Sequence, residues 1–282
     1  MHIQSLHIHP LKSGAIVDLD SVDLNERGLA GDRTMMLVDD QDVFLTQRAL
    51  PKLAMVRITR ANDELVIPGV APISVCWSDD AFTSPIWKTS ARVVAATAEA
   101  NEALSTYLGH TVRLVRIADD PQRFASANWA PQGTAMALQD GYPILVACTA
   151  SLQALNDAIA AGPNGPDASV PMNRFRPNVV IETTEPWIED TWRRVRLGDV
   201  VLDFLKPCQR CVLTTRDQLT GIATNNEPSR TLMKLRRSTH PDQKGLMFAW
   251  NAVRVSGNHL AVGDQVEVLD SDPAGWPIAP VA

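Results

Sequence analysis

Cys208-Gln209-Arg210-Cys211 puts two thiols in one short segment, with Lys206 before it and Arg210 inside it. A cation beside a thiol favours the thiolate, the form that binds soft metals or attacks disulfides. Pro207 fixes the backbone ahead of the pair and excludes a helix running through it. On spacing alone the uses of the pair stay open. A dithiol redox couple normally begins the helix of a βαβ unit, a context this stretch lacks. Half of a zinc site needs more ligands, and His240 and His259 stand singly, far downstream. A soft-metal thiolate on a rigid β connection is the third use. Two idle or merely packed cysteines are the fourth.

Cations recur elsewhere at the ends of apolar stretches. Pro10-Leu11-Lys12-Ser13-Gly14 and Gly28-Leu29-Ala30-Gly31-Asp32-Arg33 combine Lys, Ser, Gly and Arg, and Thr46-Gln47-Arg48 adds another cation. Such residues at strand ends can assemble an anion site from charge, hydroxyl and free backbone N–H. Neither stretch matches the phosphate loop Gly-x₄-Gly-Lys-Ser/Thr, so an ordinary nucleotide site is unsupported. Pro171-Met172-Asn173-Arg174-Phe175-Arg176-Pro177-Asn178 sets two arginines and two asparagines around one aromatic. Guanidinium forks and amides suit a ligand rich in planar hydrogen-bonding edges and phosphate. Taken singly, each stretch also reads as ordinary surface charge or a self-capped turn.

The elements that must position these residues are mostly short strands. Ile73, Val75 and Trp77 alternate with polar neighbours, the period of a half-buried strand. Arg33–Val38, Val43–Thr46, Ala54–Thr59 and Glu64–Ile67 read likewise, separated by Asp39-Asp40-Gln41, Ala61-Asn62-Asp63 and Pro68-Gly69. A helix follows, with Ala100, Ala103, Leu104, Tyr107 and Leu108 on one face and Gly109 as its stop. A second helix starts near Ser151 with Leu152, Leu155 and Ile159 inward and ends at Gly162-Pro163. Strands then return at Val179–Glu182, Arg194–Leu197, Val200–Leu205, Cys211–Thr215, Leu246–Trp250, Val253–Ser256 and Gln265–Leu269. Gly198-Asp199 and Gly263-Asp264 suit tight antiparallel turns. The expectation is an α+β protein, mainly antiparallel, with a boundary near Asp119-Asp120-Pro121 and a loose tail over Asp272–Ala282.

Composition narrows the function classes. With 282 residues, 45% apolar and 21% charged, the chain can bury a sizeable core. Its 26 basic against 32 acidic residues, net −6, argue against general nucleic-acid or acidic-membrane binding. Four cysteines are too few for a disulfide scaffold. No charge-free run reaches the ~18 residues of a membrane helix, and the N-terminus lacks a signal pattern. A soluble cytoplasmic protein is expected.

In order, these stretches resemble one family. Pro10-Leu11-Lys12-Ser13, Gly28–Arg33, and Phe44-Leu45-Thr46-Gln47-Arg48 with Pro51 and Leu53 are similar to the N-terminal β-barrel domain that precedes a MOSC domain. Asn173–Asn178, Trp187-x-Glu189-Asp190-x-Trp192, Lys206–Cys211 and Thr214-Thr215 are similar to the MOSC domain itself. The resemblance implies an N-terminal β-barrel domain over residues 1–117 and a MOSC barrel-like domain with flanking helices over 118–282. Within the family it extends to the mitochondrial amidoxime-reducing components and their bacterial relatives.

It further implies the molybdenum cofactor, Mo-molybdopterin, with Cys211 as metal ligand. Lys12, Ser13 and Arg33 would bind its phosphate end or pterin, and Arg174, Asn178 and Arg210 would bind it from the MOSC side. The implied reaction reduces N-hydroxylated compounds to N–H plus water. No ferredoxin-like cysteine cluster follows the pair, so electrons would come from a separate flavoprotein, ferredoxin or cytochrome. Asp217 is the candidate catalytic carboxylate on nearness to Cys211 in sequence alone. Where the family often reads Asp-Pro-Asp-Thr-Gly, this chain has Asp217-Gln218-Leu219-Thr220-Gly221 and lacks the second carboxylate. Cys76 and Cys148 are left as packing residues. MOSC domains also handle sulfur, so the alternative function is cofactor binding or sulfur carriage through a Cys208/Cys211 persulfide. A zinc-stabilised binding module is a third.

Overall fold

A nine-stranded sheet carries most of the site. The computed structural model describes residues 1–59, 64–119 and 123–279. Edge to edge, the sheet runs Val266–Ser271, Trp192–Leu197, Val200–Gln209, Gly245–Ser256, Ile144–Cys148, Val179–Glu182, His2–Ile8 and Val17–Leu19, with Arg237–Ser238 paired off the path to Gly245–Ser256. Neighbours are antiparallel except Ile144–Cys148 and Val179–Glu182, which are parallel and joined through the helix Thr149–Ala160. A parallel pair needs such a crossover. The N-terminal segment therefore completes the sheet built by the C-terminal half: Leu6 pairs with Val179, and Ile3 with Ile181.

A second sheet orders Met35–Val38, Arg113–Ile117, Thr89–Ala96 and Trp77–Ile86. Small sheets Arg57–Ile58/Glu64–Val66/Ile73–Ser74 and His259–Ala261/Ser21–Asn25/Gly28–Leu29 flank these. The architecture is the expected mainly antiparallel α+β, but among the described residues the ladders do not close into continuous barrels. The bridge of His2 to Gln265, with backbone hydrogen bonds from Ile3 N to Asp264 O and from Gly263 N to Ile3 O, both at 2.9 Å, links the first strand to the segment before the last. The main core, including Ile3, Leu6, Trp192, Leu202 and Trp250, lies under the large sheet; a separate one, around Leu37, Leu53 and Leu104, lies in the N-terminal half.

Both expected helices form. Ala98–Leu108 buries Ala100 and Leu104 and stops where Gly109 takes φ +67°, a conformation cheap only for glycine. In Thr149–Ala160, Leu155 and Ile159 are buried and Leu152 packs at the margin.

Several local expectations are corrected. Cys211–Thr215 is not a strand: Val212–Thr215 is a 3₁₀ turn. The Thr214 hydroxyl donates to the Cys211 carbonyl at 3.1 Å and that of Thr215 to Val212 at 2.8 Å. Such side-chain bonds to nearby carbonyls compete with a ladder. Val200–Leu205 continues through Pro207 to Gln209, because register shifts at Phe204/Lys206 and Pro207/Gln209 accommodate the proline. Ala54–Thr59 opens instead as a 3₁₀ turn, Pro51–Met55, with proline at its start, where the missing N–H costs nothing. Val43–Thr46 keeps one bridge, Val38 to Phe44. The hairpin Trp77–Ile86/Thr89–Ala96 is far longer than its sequence suggests; Pro85 and Asp79-Asp80 are tolerated because the strand is an edge. Over residues 272–279 the tail is not loose: Trp276 packs on the main core and its indole donates to Ser238 Oγ at 2.9 Å. Cys148 is buried as expected, whereas Cys76 is exposed. The turn at 61–63 and the boundary at 120–121 lie outside the described residues.

Candidate functional site

Lys12, Ser13, Arg33, Arg174, Asn178, Arg210 and Cys211 all line one cavity of about 170 Å³ between the N-terminal segment and the large sheet. Ser13, Arg33 and Arg176 adopt positive φ, at 64°, 47° and 54°. Non-glycine residues rarely hold that conformation, and it persists where surroundings over-determine it. All three sit in tight turns, Ser13 and Arg33 in turns that follow strands and Arg176 at the end of the 3₁₀ turn Met172–Phe175, and all three line the cavity.

Lys12 is almost fully buried; its ammonium donates to the Leu138 carbonyl at 2.8 Å and pairs with Asp140. Burial lowers its pKa, against the pull of Asp140. Desolvation by packed neighbours would raise the carboxyl of Asp140, which stays largely exposed, but Lys12, the Trp87 indole N–H and Arg33 outweigh it and hold it well below the usual range. Arg33 donates to Asp32 at 2.7 Å, to Asn178 Oδ1 at 3.2 Å and to the Arg176 carbonyl at 3.0 Å. Asp32 is buried; burial would raise its carboxyl, but the Arg33 guanidinium beside it holds it far down, and it also accepts from the main-chain N–H of His9 at 2.9 Å. His9, also fully buried, is kept neutral by burial and by the neighbouring Arg176 and Arg33, and neither ring nitrogen has a hydrogen-bond partner.

Asn178 is occupied by backbone. Its amide oxygen accepts from Leu145 N at 3.1 Å and its nitrogen donates to the His7 carbonyl at 3.2 Å. It pins three strands and orients Arg33, with little left for a ligand. Arg176, which the sequence reading passed over in favour of Arg174, lines the cavity. It donates to the Gly14 carbonyl at 2.7 Å and to Gln218 at 3.0 Å, leaving one guanidinium nitrogen buried and unpartnered. Burial, then repulsion from Arg33, lowers its pKa to about 9. The crowding of Arg33, Arg176 and Arg210 was invisible from spacing, because Arg33 comes from the other half of the chain.

On the opposite wall, Arg210 donates to Cys208 Sγ at 3.0 Å and to the Phe175 carbonyl at 2.8 Å. The thiol beside Arg210 is thus Cys208. Cys211 is exposed, and Arg48 reaches its Sγ at 3.6 Å. Arg174 donates to the Thr215 carbonyl at 2.7 Å. Asp217 does not line the cavity: its carboxylate accepts from the backbone of Leu219 and Thr220 at 2.9 and 3.0 Å and faces Arg174 at 3.5 Å. It closes its own turn.

The zinc reading loses its ligands. His240 stacks on Trp276 and His259 bonds Asp23 at 2.7 Å. Among the described residues no three His, Cys, Asp or Glu side chains converge as a metal-binding group. No described helix is long and apolar enough to cross a membrane.

The MOSC domain model matches residues 133–267 and the MOSC N-terminal beta barrel domain model residues 1–111. A mitochondrial amidoxime reducing component 2 of Rattus norvegicus is 30% identical, over 86% of this chain and 75% of that protein. The chain belongs to the MOSC family. A mitochondrial amidoxime-reducing component 1 of Danio rerio is 28% identical over 94% of this chain and 83% of its own length. A molybdenum cofactor sulfurase of Danio rerio is 29% identical over 83% of this chain but only 30% of that protein.

Proposed function

We propose that this MOSC protein binds the molybdenum cofactor in the cavity and reduces N-hydroxylated compounds, N–OH plus two electrons and two protons giving N–H plus water. One observation carries the reading: an exposed thiol, Cys211, stands at a cavity walled by Lys12, Arg33, Arg176 and Arg210, with buried guanidinium nitrogens of Arg176, Arg174 and Arg210 unpartnered. Buried cationic donors left without acceptors call for an anionic ligand, and a thiolate calls for a soft metal. A pterin dithiolene with a terminal phosphate meets both demands.

Lys12, Ser13, Arg33 and Arg176 would hold the phosphate and pterin end, and Arg210 the opposite wall; Cys211 would ligate the metal. Bound there, the cofactor supplies a metal centre able to exchange two electrons and accept an oxygen atom. The chain's own part is orientation: Asp32 fixes Arg33, Asn178 fixes the backbone beneath it, and the positive-φ residues hold both in place. Electrons would come from a separate donor protein in the cytoplasm.

The test is metal analysis of protein made with molybdate in a cofactor-competent host, beside Cys211→Ala. About one Mo per chain, lost in the variant, is expected, followed by turnover of benzamidoxime with reduced viologen. No Mo despite proven cofactor supply would overturn the reading. Sulfur carriage is the second reading, favoured by Cys208 and Cys211 both lining the cavity.

A further inference from the structure

Arg48 meets the Cys211 thiol from the N-terminal half of the chain, and its posture is built rather than incidental. Its neighbour Gln47 is buried and donates to the Ser13 carbonyl at 2.9 Å, anchoring the backbone on the inner side. The Arg48 side chain leaves on the outer side, and its guanidinium lies 5.0 Å from the centre of the Trp87 ring. From there it reaches Cys211 Sγ at 3.6 Å and makes no ion pair among the described residues. Trp87 is itself fixed three ways. Its indole N–H donates to Asp140 at 2.8 Å, Phe44 packs edge-on at 4.8 Å, and its φ is +54°. That backbone conformation is costly for a bulky residue. Position 87 opens the two-residue turn between Ile86 and Thr89, where a tight hairpin calls for a positive φ, so the turn holds the indole rigidly at the tip.

We propose that Arg48 tunes the Cys211 thiolate and that Trp87 is the positioning residue that holds Arg48 there. This rests on the reading of Cys211 as the molybdenum ligand. A hydrogen bond and a positive charge at a metal-bound sulfur withdraw electron density from it. The more reduced, more negative metal site is favoured, so the reduction potential rises. The N-terminal half thereby contributes to redox poise as well as to anion binding. Asp140 connects the two: it accepts from Trp87 and pairs with Lys12.

The test is a redox titration of the molybdenum-loaded protein followed by electron paramagnetic resonance, with Mo per chain measured for every variant. Arg48→Met and Trp87→Ala should both move the midpoint to lower potential and alter the spectrum, with Mo content unchanged. Arg48→Lys should recover part of the shift, and Trp87→Phe, which keeps a ring beneath the guanidinium, should stay nearer wild type than Trp87→Ala. An unmoved midpoint in Arg48→Met overturns the inference. So does loss of Mo from that variant, which would make Arg48 a binding residue. A normal midpoint in Trp87→Ala overturns the role of Trp87. Wild-type protein without Mo would refute the function itself, and this inference with it.

Discussion

The guanidinium of Arg33 donates to the main-chain oxygen of Arg176 at 3.0 Å, joining two cations from opposite halves of the chain. Arg176 keeps a buried nitrogen without a partner and is repelled by Arg33. A bound anion would relieve both conditions. Inorganic phosphate added to cofactor-free protein is therefore expected to raise Tm. At about 100 times Kd the gain is ~2.7 kcal/mol, or roughly 5–10 °C for a chain of this size. Arg176→Met should abolish most of that rise, as read by scanning calorimetry.

Asp32 sets the orientation of Arg33 and is wholly buried. Asp32→Asn leaves Arg33 with an uncompensated charge, and breaking such a pair costs about 3–5 kcal/mol. The Asp32 carboxyl is held far below its ordinary value, so its stabilisation is present above the usual carboxylate range and lost as pH falls below it. Urea denaturation should show the full deficit of the variant at pH 7, and a narrowing gap to wild type in acid. Equal deficits at both pH values would show that charge is not the cause.

Much of the site was legible because its residues sit in compact, chemically unusual stretches: Lys12-Ser13, Arg33 and the Cys208/Cys211 pair need only their types to suggest anion and soft-metal binding. What spacing could not show was division of labour within each stretch. Arg174 and Arg176 look equivalent in sequence, yet Arg176, in the left-handed region, points between Gly14 and Gln218, while Arg174 turns to Thr215. Asn178 reads as a ligand-binding amide but is claimed by three strands, a long-range demand that local pattern does not carry. Asp217 lies near Cys211 in sequence, but the 3₁₀ turn between them separates its carboxylate from the cavity. The fold was legible where periodicity was clean, as in both helices. It was misread where hydroxyl side chains or prolines redirect the backbone.

Cys208 separates reduction from sulfur carriage. Its sulfur accepts from Arg210, whereas Cys211 stands exposed beside Arg48. Serine at position 208 can still accept from Arg210. Cys208→Ser is thus expected to retain molybdenum and at least half of the benzamidoxime turnover with reduced viologen. A persulfide relay through both thiols would instead lose sulfur transfer entirely, read by labelled-sulfur incorporation. Turnover that collapses in Cys208→Ser while Mo is retained would favour the relay.

Glu189, which does not line the cavity, carries a pH dependence of stability. It is buried and accepts from Ser151 Oγ at 2.8 Å. Burial raises its pKa to about 7, against the Ser151 hydrogen bond and with help from Asp190. A carboxyl raised in the folded state binds its proton more tightly there than in the unfolded chain. Its contribution is therefore intact below the ordinary value of 4.5 and lost as pH rises through about 7. Glu189→Gln keeps an acceptor for Ser151 and cannot ionise. The variant should match wild type in urea denaturation near pH 4.5 and exceed it at pH 8 by roughly 3 kcal/mol. A variant less stable than wild type at pH 8 would mean that the carboxylate is better paired than its burial implies, with Arg236, already bonded to Asp190 at 2.7 Å, as the partner.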